Sequence, residues 1–577
     1  MAAVLEPTDR STRDSAHGPR IKLPPSLFRP TARAAFAGTG LISLVAVSAM
    51  LRLEGSRTLL WMDEGISVGI ASHRLGDIPQ VLRVDGSPPL YFLVLKGWMK
   101  LVGSSEADVH ALSTLFAVAT VPVAYWAGRS LFDRRTGWIC SGLAATNPYL
   151  TFYSHEARMY TMAALLGLVT VATFLHAFAF GRRRYLPAFV LSLVLSLYTH
   201  NWSLFLVIGL VAATVLCVAT AADRGRQLRD ALMAFGAVGL LYAPWLPTLL
   251  YQQQHTSAPW LGARSPPEAI RDLIGVLGDE RIVVALLLTA GIALGSVLLR
   301  PKHGGWPPVA ALVLVVAVTP LASWMSSLLQ PSWAARYFGT FLLPLLLLAA
   351  LGLSRDRGRG LLAFGLILLL WTTPLARIRG LHRPPPADEK SNVQLVASEL
   401  RHLMRPGDLV VSPQVEQVPL LHYYFPPGLE YATPEGAVSD PQVVDWRDAV
   451  SRLSRSTVAT GLQPLVNQLA PSGRVFLICP HFVPIGSDEY APRRQAASTQ
   501  PETGPGARTE QLLPPIATAG RDSTEAWGPL VVQHCRASLR SLADDPRMRL
   551  VAGPTPPIGT PARGASVFAV TYEKVST

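Results

Sequence analysis

Two acids stand side by side at Asp63 and Glu64, within Trp61-Met62-Asp63-Glu64-Gly65 and just after an apolar stretch. Carboxylates at a membrane boundary are costly to bury, and those that face a cavity there are usually functional. A carboxylate so placed can take the proton from an incoming hydroxyl, a step worth roughly 10²–10⁴-fold in rate. From the dipeptide alone, a solvated loop pair reads equally well. Four further polar clusters interrupt apolar sequence. In Asp85-Gly86-Ser87-Pro88-Pro89-Leu90-Tyr91 the proline pair starts a helix. Asp85 is expected at the N-terminal side of that helix, where an anion is favoured. His155-Glu156-Ala157-Arg158-Met159-Tyr160 gathers both charges, and Arg158 can pair with Glu156 or hold a phosphate. His200 lies in Tyr198-Thr199-His200-Asn201-Trp202, and Arg336-Tyr337 follows Trp333. A histidine at such a boundary is often a satisfied interfacial residue, and an arginine there can simply snorkel.

These clusters are spaced by stretches that read as membrane spans. Of 577 residues, 50% are hydrophobic and 15% charged, while Lys+Arg exceed Asp+Glu by 51 − 38 = 13. A soluble protein of this size carries nearer a quarter charged residues, and a nucleic-acid binder gathers its positive charge on one soluble face. Apolar stretches fall at 36–53, 106–128, 137–152, 157–180, 186–200, 201–221, 230–250, 281–299, 306–326, 337–353 and 361–376, eleven in all. Several are shorter than the ideal of about 20 residues. With the N-terminus inside, the loops 129–136, 181–185, 223–229, 300–305 and 354–360 are internal, and each is short and basic. All five polar clusters then fall on the outer face, as does the region after the last span. Residues 88–102, carrying Tyr91, Lys96 and Lys100, would invert this alternation if counted as a span. They are read as an amphipathic helix at the outer interface, within a first external loop of 54–105.

Residues 1–35 are polar and basic and read as a disordered cytoplasmic tail. From about 378 charges return and short helical and strand patterns alternate, which predicts a C-terminal α/β domain over 378–577. Its stretch 484–526, rich in Pro, Ser, Thr, Gln and Gly, reads as a disordered insertion. Cys140 and Cys217 lie in spans as packing residues. Cys479 and Cys535 are either a disulfide or two separate buried thiols.

Taken in order over roughly 36–376, these segments resemble the GT-C superfamily of integral-membrane glycosyltransferases. They are most similar to its family 39-like branch of protein O-mannosyltransferases and lipid A aminoarabinose transferases. The C-terminal region resembles extensions found in bacterial, especially actinobacterial, relatives. With the spans and loops above, the reading is a polytopic α-helical membrane protein of the cell membrane, GT-C type, with about eleven transmembrane helices and an extracytoplasmic C-terminal α/β domain. The resemblance implies transfer of a sugar, mannose or a pentose, on the non-cytoplasmic face, from a polyprenyl-phosphate donor to a hydroxyl of a glycan or protein acceptor of the cell envelope; in-line attack would invert the anomeric carbon. Asp63 matches the proposed base and Glu64 completes the pair. Asp85, Tyr91, Lys96, Glu156, Arg158, Tyr160, His200, Arg336 and Tyr337 are the expected substrate contacts, with Arg158 and Arg336 on the lipid phosphate. Ser87 stands where many relatives have His. No metal or other cofactor is required, and a divalent cation at Asp63 and Glu64 is compatible with the pattern. The partners implied are the polyprenyl-phosphate sugar donor, membrane lipid and the glycan or protein acceptor, with no nucleic acid. The competing readings are a transporter or flippase of polyprenyl-linked intermediates, and an inactive scaffold that binds cell-wall polymer. Transporters place their ionisable groups near the midplane, often with inverted repeats, and neither is seen in this sequence.

Overall fold

The computed structural model describes residues 30–53, 58–299, 306–372, 390–480, 527–555 and 566–575. Most of the tail expected at 1–35, the basic loop 300–305 and the insertion expected at 484–526 lie outside them. The chain divides into a unit ending at Ser43 and a unit Leu44–Thr577, and the second holds the site.

Seven helices among the described residues are long and apolar enough to cross a membrane, and they include Glu106–Leu131, Tyr160–Ala179, Ser203–Thr220 and Ala335–Arg355. Gly38–Leu53 and Gly358–Thr372 are apolar but shorter. The stretch read as a span at 137–152 is broken at Asn147-Pro148 into helices Arg134–Thr146 and Pro148–Tyr153. Proline removes an amide donor, and the Asn147 side chain accepts from the Leu150 amide instead, so a new helix starts there. Large apolar side chains stand exposed on the helices, among them Val215, Leu240, Ile292 and Leu362. Lipid, not water, is the solvent such a surface suits. This is a multi-pass α-helical membrane protein.

The helices sort their ends. At one end, Arg182 donates to the Ser130 carbonyl at 3.2 Å, Arg183 holds Asp230 through two bonds of 2.7 Å, and Thr136 meets Ser354 at 2.8 Å. The four described basic loops are thereby drawn together. The five polar clusters lie at the opposite helix ends. Close packing fixes two of them side by side. A Cβ on Gly167 would come within 2.2 Å of the Thr340 carbonyl oxygen, so only glycine lets helix Tyr160–Phe174 approach helix Gly339–Arg355 this closely. Arg158 and Arg336 sit just before these two helices.

The C-terminal region folds as a six-stranded sheet in the order β3-β2-β1-β4-β6-β5. The strands are β1 Leu409–Val411, β2 Glu430–Thr433, β3 Gly436–Ala437, β4 Arg474–Pro480, β5 Met548–Thr555 and β6 Val567–Lys574. β1 runs parallel to β2 and β4, and the other pairs are antiparallel. β2 and β3 carry no apolar run that would announce them. Cys479 on β4 and Cys535 on helix Trp527–Asp544 form a disulfide that ties helix to sheet.

Candidate functional site

The adjacent acids start a helix, Met62–Ser72, rather than a loop. Successive helical residues point about 100° apart, so the two carboxylates face different surroundings. Asp63 looks into a cavity and is paired with Arg336, whose Nη1 donates to Oδ2 at 3.2 Å. Glu64 is fully buried on the other side. Its Oε1 accepts from His110 Nε2 at 2.6 Å and from the Ala157 amide at 2.7 Å. Its Oε2 accepts from Lys390 Nζ and from the Trp61 amide, both at 3.2 Å. Burial alone would raise this carboxyl, but Lys390 and His110 outweigh it and hold it down at about 2. With four donors on it, Glu64 has no lone pair left for a substrate, which separates it from the role expected of the pair.

The cavity has a volume of about 280 Å³ and takes wall residues from all five polar clusters. These are Asp63; Asp85 with Gly86 and Ser87; Arg158; His200 with Asn201 and Trp202; and Arg336 with Tyr337. Arg158 reaches across to the acid-bearing helix, donating to the Asp63 carbonyl at 3.3 Å and to Ser67 Oγ at 3.2 Å. The Nε atoms of Arg158 and Arg336 are both buried without a hydrogen-bond partner. Burial disfavours the Arg158 cation, yet neighbouring Tyr160, Asp63 and Asp85 more than compensate and keep it charged. Arg336 also lies 5.4 Å from the Tyr337 ring centre and 6.0 Å from that of Trp260, within cation–π reach. Two cations with donors to spare, beside Asp63 and Asp85, are suited to an anionic group with several oxygens.

Asp85 is not at the start of the following helix, as expected, but at the end of helix Ile78–Asp85. That end is the unfavourable one for an anion, so helix stability does not account for this acid. Its Oδ2 is buried without a partner, and burial raises its carboxyl above the ordinary range. Gly86 turns the chain there at φ 98°, in the left-handed region. The turn is held by Asn201 Nδ2 on the Gly86 carbonyl at 3.1 Å and by Gln252 Nε2 on the Leu82 carbonyl at 2.8 Å.

The remaining candidates stand back from the cavity wall. Glu156 is buried, its Oε2 is without a partner, and burial pushes its carboxyl up to about 7. Tyr160 is buried behind Arg158. Tyr91 is fully buried. Lys96 caps the end of the acid-bearing helix, donating to the Ala71 carbonyl at 3.2 Å and to the His73 carbonyl. It caps that helix and is not among the residues that line the cavity. Conversely, Trp260, Gln252 and Trp446 line the cavity without having been singled out. Trp446 comes from the C-terminal domain and packs on Trp260 with ring centres 4.8 Å apart. Aromatic residues flanked by ordinary loop sequence gave no signal of this. Among the described residues, no three His, Cys, Asp or Glu side chains gather as they would around a metal ion.

Comparison with solved structures places this architecture. The fold is similar to that of ArnT. The apo crystal structure of ArnT from Cupriavidus metallidurans matches over 77% of this chain and 93% of its own, with TM-score 0.55 and 14% identity. The same protein bound to undecaprenyl phosphate matches over 78% of this chain and 93% of its own, at TM-score 0.49 and 12% identity. The arabinofuranosyltransferase AftD from Mycobacteria matches over 93% of this chain and 40% of its own, at TM-score 0.48 and 15% identity. No family model matches the chain, and no curated protein sequence does. At these identities the likeness is one of fold.

Proposed function

We propose that this protein is a membrane glycosyltransferase that moves a sugar from a polyprenyl-phosphate donor to a hydroxyl acceptor on the extracytoplasmic face of the cell membrane. The observation that carries this reading is the convergence of five separate polar clusters on one cavity, which presents two carboxylates, Asp63 and Asp85, and two arginines whose Nε atoms have no hydrogen-bond partner. The donor's tail stays in lipid while its phosphate lies between Arg158 and Arg336. Asp63 takes the proton of the acceptor hydroxyl as that oxygen forms its bond to the anomeric carbon. The bond from that carbon to the phosphate oxygen breaks in line, so the configuration inverts. The charge that develops on the phosphate is met by the two guanidinium groups, which are already in place.

Orientation has its own support. The basic loops gather at the end opposite the cavity, as cytoplasmic loops do, and a disulfide is at home in an oxidising compartment. Mannose and a pentose are the candidate sugars, and an envelope glycan or protein is the candidate acceptor. The test is incubation of the purified protein with polyprenyl-phosphate mannose and polyprenyl-phosphate pentose donors. Free polyprenyl phosphate should accumulate from one of them. Accumulation from neither, with each acceptor class supplied, would overturn the reading.

A further inference from the structure

The C-terminal domain grips the acid-bearing helix along its length. A Cβ on Gly65 would lie 2.8 Å from the Leu420 backbone, and one on Gly69 would lie 2.1 Å from the Gln442 carbonyl oxygen. Helix Met62–Ser72 therefore presents a glycine face, one turn apart, against which the domain's backbone rests. The Tyr424 hydroxyl accepts from the Leu60 amide at 3.0 Å just before the helix, and Asp440 meets His73 at 2.8 Å just after it.

Lys390 goes deeper. It is the first described residue after the last apolar helix and is 7% exposed. Its ammonium bonds Glu64 Oε2 at 3.2 Å and the His155 carbonyl. Glu64 in turn bonds the Trp61 and Ala157 amides. One buried ion pair thus joins the first turn of the Asp63 helix to the turn 154–159, which carries Arg158. Only six lysines occur in the chain against 45 arginines. Lysine suits this place physically: a compact cation with three tetrahedral donors fits a small enclosure that a planar guanidinium would overfill.

We propose that Lys390 is a positioning residue of the transfer site, through which the C-terminal domain sets the register between Asp63 and Arg158. The proposal rests on the reading of the cavity as the transfer site. On this view the domain is a structural half of the site, not a detachable module. Without its ammonium, the buried Glu64 carboxylate keeps only His110 to offset its burial, and its hold on the Trp61 and Ala157 amides weakens.

The experiment uses the full-length purified protein, with Lys390→Met and the charge-balanced pair Glu64→Gln/Lys390→Met. Two readouts are taken: kcat and KM for the donor, and hydrogen exchange over residues 61–72 and 154–160. Lys390→Met should lower kcat about tenfold or more while KM stays within about threefold. Exchange in both segments should quicken about tenfold. The double variant, with no buried charge left unpaired, should regain part of both losses. Wild-type exchange and kcat in Lys390→Met would overturn the proposal. So would failure of both variants to fold, which would make the lysine a folding residue only. If the wild-type protein transfers no sugar but exchange quickens as described, the register knot stands and the reading of the cavity as a transfer site falls.

Discussion

Asp63→Asn is the most informative single substitution. Asparagine has nearly the same shape and keeps an oxygen to accept from Arg336, which now does so at 3.2 Å. The helix Met62–Ser72, the Glu64 knot and the cavity walls should therefore persist. What is lost is the charge and the proton acceptor. A positioned general base contributes roughly 10²–10⁴-fold, so kcat should fall by that factor, about 2.7–5.4 kcal/mol at 1.36 kcal/mol per decade. Donor binding should move the other way. Arg158 and Arg336 lose a neighbouring anion, so affinity for polyprenyl phosphate should stay equal or tighten. The assay is release of polyprenyl phosphate by purified protein in lipid nanodiscs, with the affinity for polyprenyl phosphate measured separately. A kcat within about threefold of wild type would remove Asp63 as the base. A fall in affinity matching the fall in kcat would show that it acts on binding instead.

Two further substitutions probe the surroundings. Arg336→Gln removes one of the two cations facing the cavity and should raise the donor KM about 10- to 100-fold, since a charge-assisted hydrogen bond is worth about 1.5–3 kcal/mol; steady-state kinetics with the donor varied checks this. Glu156 is raised to about 7 by burial, against about 4.3 in an unfolded chain. Between those values the folded protein binds the extra proton, so this residue's contribution makes stability fall as pH rises through the window. Glu156→Gln should remove that slope, on the order of 1–3 kcal/mol, in thermal midpoints measured from pH 4.5 to 7; an unchanged slope would show the carboxyl ionised in the folded state.

Much of this was legible because a membrane protein confines its polar residues. Asp63, Asp85, Arg158, His200 and Arg336 stand out at the ends of apolar runs, and the basic loops between them assign those ends to one face. Helix packing then had to bring them together, and the glycine contact of Gly167 with Thr340 is one device that does so. What could not be read was direction. Asp63 and Glu64 look alike in sequence, and only the helical rotation between them sends one to the cavity and the other into a buried ion pair. Lys96 reads as a substrate contact in sequence, and the structure sets its ammonium on the carbonyls at the end of helix Met62–Ser72. Asp85 was expected to begin a helix and instead ends one, because Gly86 terminates Ile78–Asp85 before the prolines start the next. Lys390 and Trp446 lie more than 200 residues beyond Glu64 and Asp85 in sequence, and no local pattern links them across that distance. Their roles follow from docking of the C-terminal domain, which depends on shape at Gly65 and Gly69 rather than on a motif.

The central claim is that the donor phosphate sits in the cavity between Arg158 and Arg336. A cryo-EM map of the purified protein with polyprenyl phosphate bound tests it most directly. The phosphate should lie within hydrogen-bond distance of both guanidinium groups, with the tail leaving toward the lipid-facing helices. Phosphate density at the opposite end, among Arg182, Arg183 and the other basic loops, with the cavity empty, would contradict it.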